Sequence, residues 1–152
     1  MQLCVLQPGS RHPAQSFADY AGKPDPRLHP PLGYHGLAAC TGGSFHRSDE
    51  TIPADLTRVL LVLGRNLKAC RQAVINLRRA GKTIVLAFEK PGAFDIQTQL
   101  DCPSALALFR EICVRSHAAI AVTPDLEPVF RAGGMLHVEN IPVPLPVDAP
   151  GW

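Results

Sequence analysis

No apolar run in this chain approaches the roughly 20 residues needed to cross a bilayer as a helix. The longest runs, residues 59–63 among them, have only the length of a buried strand, so a helical membrane span is excluded. Charge of one sign is equally scarce. A net charge of +2 lacks the concentrated basic footprint that nucleic acid requires, and no nucleic-acid partner is expected. The five cysteines are odd in number and form no CxxC pair. With no signal-peptide pattern at the start, they predict reduced thiols and a cytoplasmic setting.

The common nucleotide and hydrolase motifs are also missing. Residues 59–63 are followed by GRNLKA and the first apolar run by PGSRHP, so the dinucleotide fingerprint GxGxxG is absent. So are the phosphate-binding GxxxxGK[ST] loop, the GxSxG elbow of a hydrolase and the acidic strand ends of a phosphoacceptor domain. His35, Cys40 and His46 come nearest to a metal cluster, but their spacing matches no zinc pattern and offers no fourth ligand. Neither metal nor cofactor is expected.

What is present reads as a globular α/β chain: 152 residues, 46% hydrophobic and 18% charged, enough for one domain with its own core. The 15 prolines gather early and at the end, flanking a regular middle. Residues 2–6 read as a strand stopped by Pro8-Gly9, residues 16–20 as a helical turn, and residues 34–40 as a second strand closed by Thr41-Gly42-Gly43-Ser44.

From residue 58 the pattern is strong. Residues 59–63 are apolar on both faces, as a central parallel strand covered by helices must be. Leu67, Cys70, Val74 and Leu77 fall at helical spacing and predict a helix over 67–80, ended by Gly81. Strand 83–88, a helix over 103–116 capped near Asp101 or Ser104, and strand 118–122 follow. A helix with Pro124 at its first position then runs to Gly133-Gly134, and strand 136–141 closes the series. Alternating strands and helices predict a Rossmann-like, doubly wound, mainly parallel sheet over residues 1–141, with 142–152 a Pro-rich linker or tail.

Ligands of such sheets bind beyond the carboxyl ends of the strands. That rule selects Pro8, Gly9, Ser10 and Arg11; Thr41, Gly42, Gly43 and Ser44; Gly64, Arg65 and Asn66; Glu89, Lys90, Pro91 and Gly92; and Thr123. The first and third groups would offer backbone N–H groups and an arginine to an anion. A loop of this kind is more often an ordinary turn. Glu89-Lys90 is the most catalytic-looking pair, though neighbouring opposite charges are also common on surfaces. No residue is assigned a catalytic role. The basic face of helix 67–80 suits weak peripheral contact with anionic lipid, or simply a solvated surface. His117 is read as a cap for the preceding helix.

The run AAIAVTPDLEPVFRAGGMLHVENIPVPLPVD resembles the end of the N-terminal domain of two-domain, GT-B type glycosyltransferases. In that family a strand ending in a small hydroxyl residue leads through a short helix and a glycine to a strand and an interdomain link. Val138 to Pro142 and Pro146-Val147-Asp148 match the link, with Val143-Pro144-Leu145 in place of its Asn-centred turn. Leu77 to Lys82 also recurs there, so the resemblance covers residues 59–148. It implies the acceptor-side half of an enzyme that moves a sugar from a nucleotide-sugar donor to an acceptor, the donor being held mainly by a second domain. Pro8-Gly9-Ser10 stands where the family has a double glycine, which departs from its donor-phosphate contact. The alternatives are a stand-alone flavodoxin-like binding or regulatory module without catalysis, and a degenerate, non-catalytic domain that mediates assembly.

Overall fold

A computed structural model describes residues 2–19, 33–90 and 93–142. In chain order the elements are β1 (Cys4–Leu6), β2 (Gln15–Ser16), α1 (Tyr34–Cys40), β3 (Ser44–His46), β4 (Arg58–Leu63), α2 (Leu67–Arg79), β5 (Thr83–Phe88), α3 (Phe94–Leu100), α4 (Pro103–Arg115), β6 (Ala118–Ala121), α5 (Leu126–Ala132) and β7 (Val138–Asn140). They build one seven-stranded sheet in the order β2-β3-β1-β4-β5-β6-β7. Only the edge strand β2 is antiparallel to its neighbour. The fold is the expected α/β, Rossmann-like one.

The centre is β4 against β5, paired in register from Arg58 with Thr83 to Leu63 with Phe88. From β4 onward the chain steps one way across the sheet, and α2, α4 and α5 bury their apolar stripes with β4 residues Val59, Leu61 and Leu63 in one core. From β1 to β3 it steps the other way. A right-handed crossover in that direction delivers its helix to the opposite face. There Ala38 and Ala39 of α1 join Val5, Phe45, Leu60 and Val62 in a second core. The sheet is thus wound on both sides.

Local chemistry sets the helix ends. Asn66 caps α2, its Oδ1 accepting the Ala69 N–H at 3.1 Å. At the other end Gly81 takes φ +73, and the N–H groups of Gly81 and Lys82 donate to the carbonyls of Arg78 and Leu77. That paired arrangement needs a left-handed residue, which glycine supplies without a Cβ clash. Gly134, at φ +95, closes α5 in the same way through Arg131 and Phe130.

Several expectations need correction. Residues 34–40 form helix α1, not a strand: packing of Ala38 and Ala39 under the sheet outweighs the weak local pattern. Consequently Thr41 to Ser44 lies before β3 instead of closing a strand. The helical turn expected at 16–20 is instead strand β2 followed by Phe17 of the second core; Tyr20 lies outside the described residues. Strand β3 and helix α3 were not anticipated. Pro124 precedes the first turn of α5, whose cap position is Asp125. Cys102, followed by Pro103, takes the cap position of α4. His117 does not cap α4: Nδ1 accepts the Ile84 N–H at 3.0 Å, while Ser116 and Arg115 bond the carbonyls of Ile112 and Glu111. The linker expected at 142–152 lies, beyond Pro142, outside the described residues. Among the described residues no helix is long and apolar enough to cross a membrane.

Candidate functional site

β1 connects to β3 on one side and its other neighbour is β4, so the chain reverses direction between β1 and β4. Loops leaving the carboxyl ends of two such strands run to opposite faces and leave a crevice between them. Here the crevice is a cavity of about 770 Å³. Gln7 to Ser10 enter it after β1, Gly64 to Asn66 after β4, and Glu89 and Lys90 after β5, while Asp95, Ile96, Thr98 and Gln99 of α3 form a wall. Leu63, Phe88 and Ile96 provide its apolar surface.

Each loop is held by identifiable bonds. Pro8-Gly9 occupy the centre of a turn closed by the Ser10 N–H on the Gln7 carbonyl at 3.2 Å. Gly9 at φ +83 is the residue that a turn with proline before it requires at this place. The Ser10 hydroxyl accepts the His12 N–H, so it braces the loop. The Glu89 N–H donates to the Leu63 carbonyl at 2.8 Å, extending the pairing of β5 with β4 one step into the rim. Its Oε1 accepts from Gln7 Nε2 at 3.2 Å, joining the β1 and β5 loops across the crevice. Gln99 Nε2 donates to the Arg65 carbonyl, and Lys90 lies 3.8 Å from Asp95. Tyr34 fastens the opposite layer to the same rim, its hydroxyl donating to the Phe88 carbonyl at 2.8 Å. Burial pushes that phenol up to about 12. The thiol of Cys70, in the first turns of α2, is also pushed up, chiefly by burial and further by the Glu89 charge.

Of the sequence-selected residues, Pro8, Gly9, Ser10, Arg65, Asn66, Glu89 and Lys90 therefore share one crevice. Arg11 is exposed and does not line it, and Pro91 and Gly92 lie outside the described residues. Thr123 follows β6 and donates to Asp125 Oδ1, while Asp125 Oδ2 accepts the Ala93 N–H at 2.8 Å. This pair positions the start of α3, and those bonds hold the Asp125 carboxyl below its usual range. Gly64, read with Arg65 and Asn66 as one strand-end loop, lines the crevice too, whereas Gln7 and the α3 residues were missed. Gly64 was legible as a strand-end glycine, but α3 carried no signal that it would fold over the crevice.

Gly42, Gly43 and Ser44 lie at the opposite end of the sheet, because they precede β3. They line a smaller concavity of about 410 Å³ with Cys4, His46 and Thr51. Thr51 Oγ1 donates to the Ser48 carbonyl, so it receives Nδ1–H of His46 at 2.8 Å, leaving Nε2 to accept the Ser44 hydroxyl at 2.8 Å. His35 instead packs on Phe45 in the other core, at 4.8 Å between ring centroids, so the two histidines sit on opposite faces. Among the described residues no three His, Cys, Asp or Glu side chains could hold a metal ion together.

Burial holds the His46 imidazole below its ordinary value of about 6.5. Protonation is thus resisted in the folded state. Between the two values the unfolded chain binds more protons, so stability rises with pH. As pH falls, this contribution begins to be lost near about 6.5 and levels off below the folded value. Urea midpoints measured from pH 7.5 to 5.5 should fall more steeply in the parent than in His46→Gln. Identical slopes would remove His46 as the cause.

No protein-family model, curated protein or solved structure matches the chain.

Proposed function

We propose that this domain is the acceptor-side half of a two-domain glycosyltransferase, working with a second domain that holds the nucleotide-sugar donor. The observation that carries this reading is the crevice between β1 and β4, which combines an apolar floor with hydroxyl, amide, carboxylate, ammonium and guanidinium groups. A mixed lining of that kind suits a hydroxyl-rich molecule with apolar C–H faces. The resemblance of residues 118–148 to the closing segment of the family's N-terminal domain supports the same reading. In this scheme β7 leads through Ile141-Pro142 towards the donor domain, and Gln7, Glu89 and Gln99 meet the acceptor. Contact of α2 with anionic lipid would draw on Lys68, Arg78 and Arg79, all exposed, whereas Arg71 pairs with Glu111.

The strand order β3-β1-β4-β5-β6 is also that of flavodoxin-like binding modules, which is the competing reading. Product analysis by mass spectrometry separates the two. The 152-residue chain by itself should release no nucleoside diphosphate from a panel of nucleotide sugars. The same chain joined to whatever follows it in its natural reading frame should form glycoside. Turnover by the isolated domain, or a natural stop directly after Trp152, would leave the proposal without support.

A further inference from the structure

The crevice stands where open parallel sheets commonly take a phosphate, beside the amino end of the 13-residue helix α2. Its details point elsewhere. Glu89 extends into the crevice, and one carboxylate oxygen lies so close to Gly64 that a Cβ there would stand 2.9 Å from Oε2. The other oxygen is fixed by the Gln7 amide at 3.2 Å. The first turn of α2 already has an acceptor, because Asn66 takes the Ala69 N–H. Of the cations in the lining, Arg65 is exposed to solvent and Lys90 has its own carboxylate nearby in Asp95. A phosphate entering here would meet the Glu89 charge at short range, which is repulsive.

We propose that the crevice binds a neutral polyhydroxylated molecule, with the Glu89 carboxylate accepting hydrogen bonds from two neighbouring hydroxyls. An ionised carboxylate is an acceptor with about four lone-pair sites. Gln7 occupies one and sets the orientation, leaving room for a pair of hydroxyl donors. Gly64 is the residue that permits this seat, since any side chain there displaces the carboxylate. Leu63 and Phe88 lie beneath, apolar, as the C–H face of a sugar ring requires. Charge-assisted bonds of this kind are the strong ones in a polar site.

This inference rests on the sugar-transfer reading only for its choice of probes. The test is an amide-resolved NMR titration of the chain with methyl α-glucopyranoside, methyl α-mannopyranoside, methyl α-galactopyranoside and pyrophosphate. At least one pyranoside should bind in the millimolar range, about 1–10 mM, and shift the signals of Gln7, Gly64 and Glu89. Glu89→Gln should weaken that binding at least about tenfold, because charged-group hydrogen bonds are replaced by neutral ones. If Glu89→Gln fails to fold, Gly64→Ala should cause a similar loss by moving the carboxylate. Pyrophosphate binding tighter than every pyranoside, no response to any pyranoside at about 50 mM, or unchanged affinity in the folded variant would each overturn the proposal. Pyranoside binding without sugar transfer by the natural full-length protein would sink the glycosyltransferase reading and leave this one standing. Transfer that Glu89→Gln does not affect would sink this one alone.

Discussion

Gly43→Ala should destabilise the domain by about 3 kcal/mol or more, through overpacking and lost backbone bonds. A Cβ at Gly43 would stand 2.0 Å from the Leu3 carbonyl oxygen and 2.6 Å from the Leu3 nitrogen. Both are backbone atoms, so no rotamer change can relieve the clash; β1 and β3 must separate. Leu3 is held there by the Ser44 N–H on its carbonyl at 3.0 Å and by its own N–H on Thr41 Oγ1 at 3.1 Å. Gly43 also accepts the Phe17 N–H at 2.8 Å, which ties the following loop to the second core. Displacing Leu3 weakens all of this together. For a chain of this size the loss corresponds to a fall in Tm of about 6–12 °C. Gly42→Ala makes a useful contrast. Its neighbour in space is a Phe17 carbonyl at 3.6 Å, ordinary contact, and its cost comes from φ +62 instead. A left-handed alanine costs about 1–2 kcal/mol. Urea unfolding of both variants checks the order; equal losses would mean that strand proximity is not what selects glycine at 43.

Phe109→Ala should cost about 3–5 kcal/mol, the range for removing a fully buried aromatic ring. Phe109 is 0% exposed on α4, with ring centroids 5.8 Å from Phe88 and 6.1 Å from Phe130. It also explains Gly133, where a Cβ would come within 2.5 Å of the Phe109 ring. Three elements therefore converge on this side chain: β5, α4 and α5. Loss of a few kcal/mol is a large part of the about 5–15 kcal/mol that holds a domain of this kind together. Because Phe88 is also part of the crevice floor, the void beneath it should weaken pyranoside binding as well. Phe109→Leu, which refills most of the space, should recover much of both. Denaturation and titration measured on the same samples make the comparison. Intact stability in Phe109→Ala would mean that the ring stack does not organise this core.

The second half of the chain was legible because its local and tertiary demands agree. Strand 83–88 falls on the residues that the apolar run indicates, and the first helix after β4 differs from its expected bounds by one residue. In both, a continuous apolar run or a helical stripe coincides with burial on the sheet, so pattern and packing select one structure. The glycine ends at Gly81 and Gly134 were equally readable, since a left-handed turn leaves few other choices.

Tertiary structure alone decided the rest. YHGLAAC supports either strand or helix over seven residues, and the space beneath β1 and β3 selects the helix, which accepts Ala38 and Ala39. Ser44–His46 is too short for any period to show, and becomes a strand only because β1 offers it a parallel edge. The same decision moved Gly42 and Gly43 to the opposite end of the sheet. Strand order is set by pairing between distant segments, which local sequence does not encode. Once β4 lies beside β1, Gln7, Gly64 and Glu89 meet, although Gln7 and Glu89 are 82 positions apart in the chain.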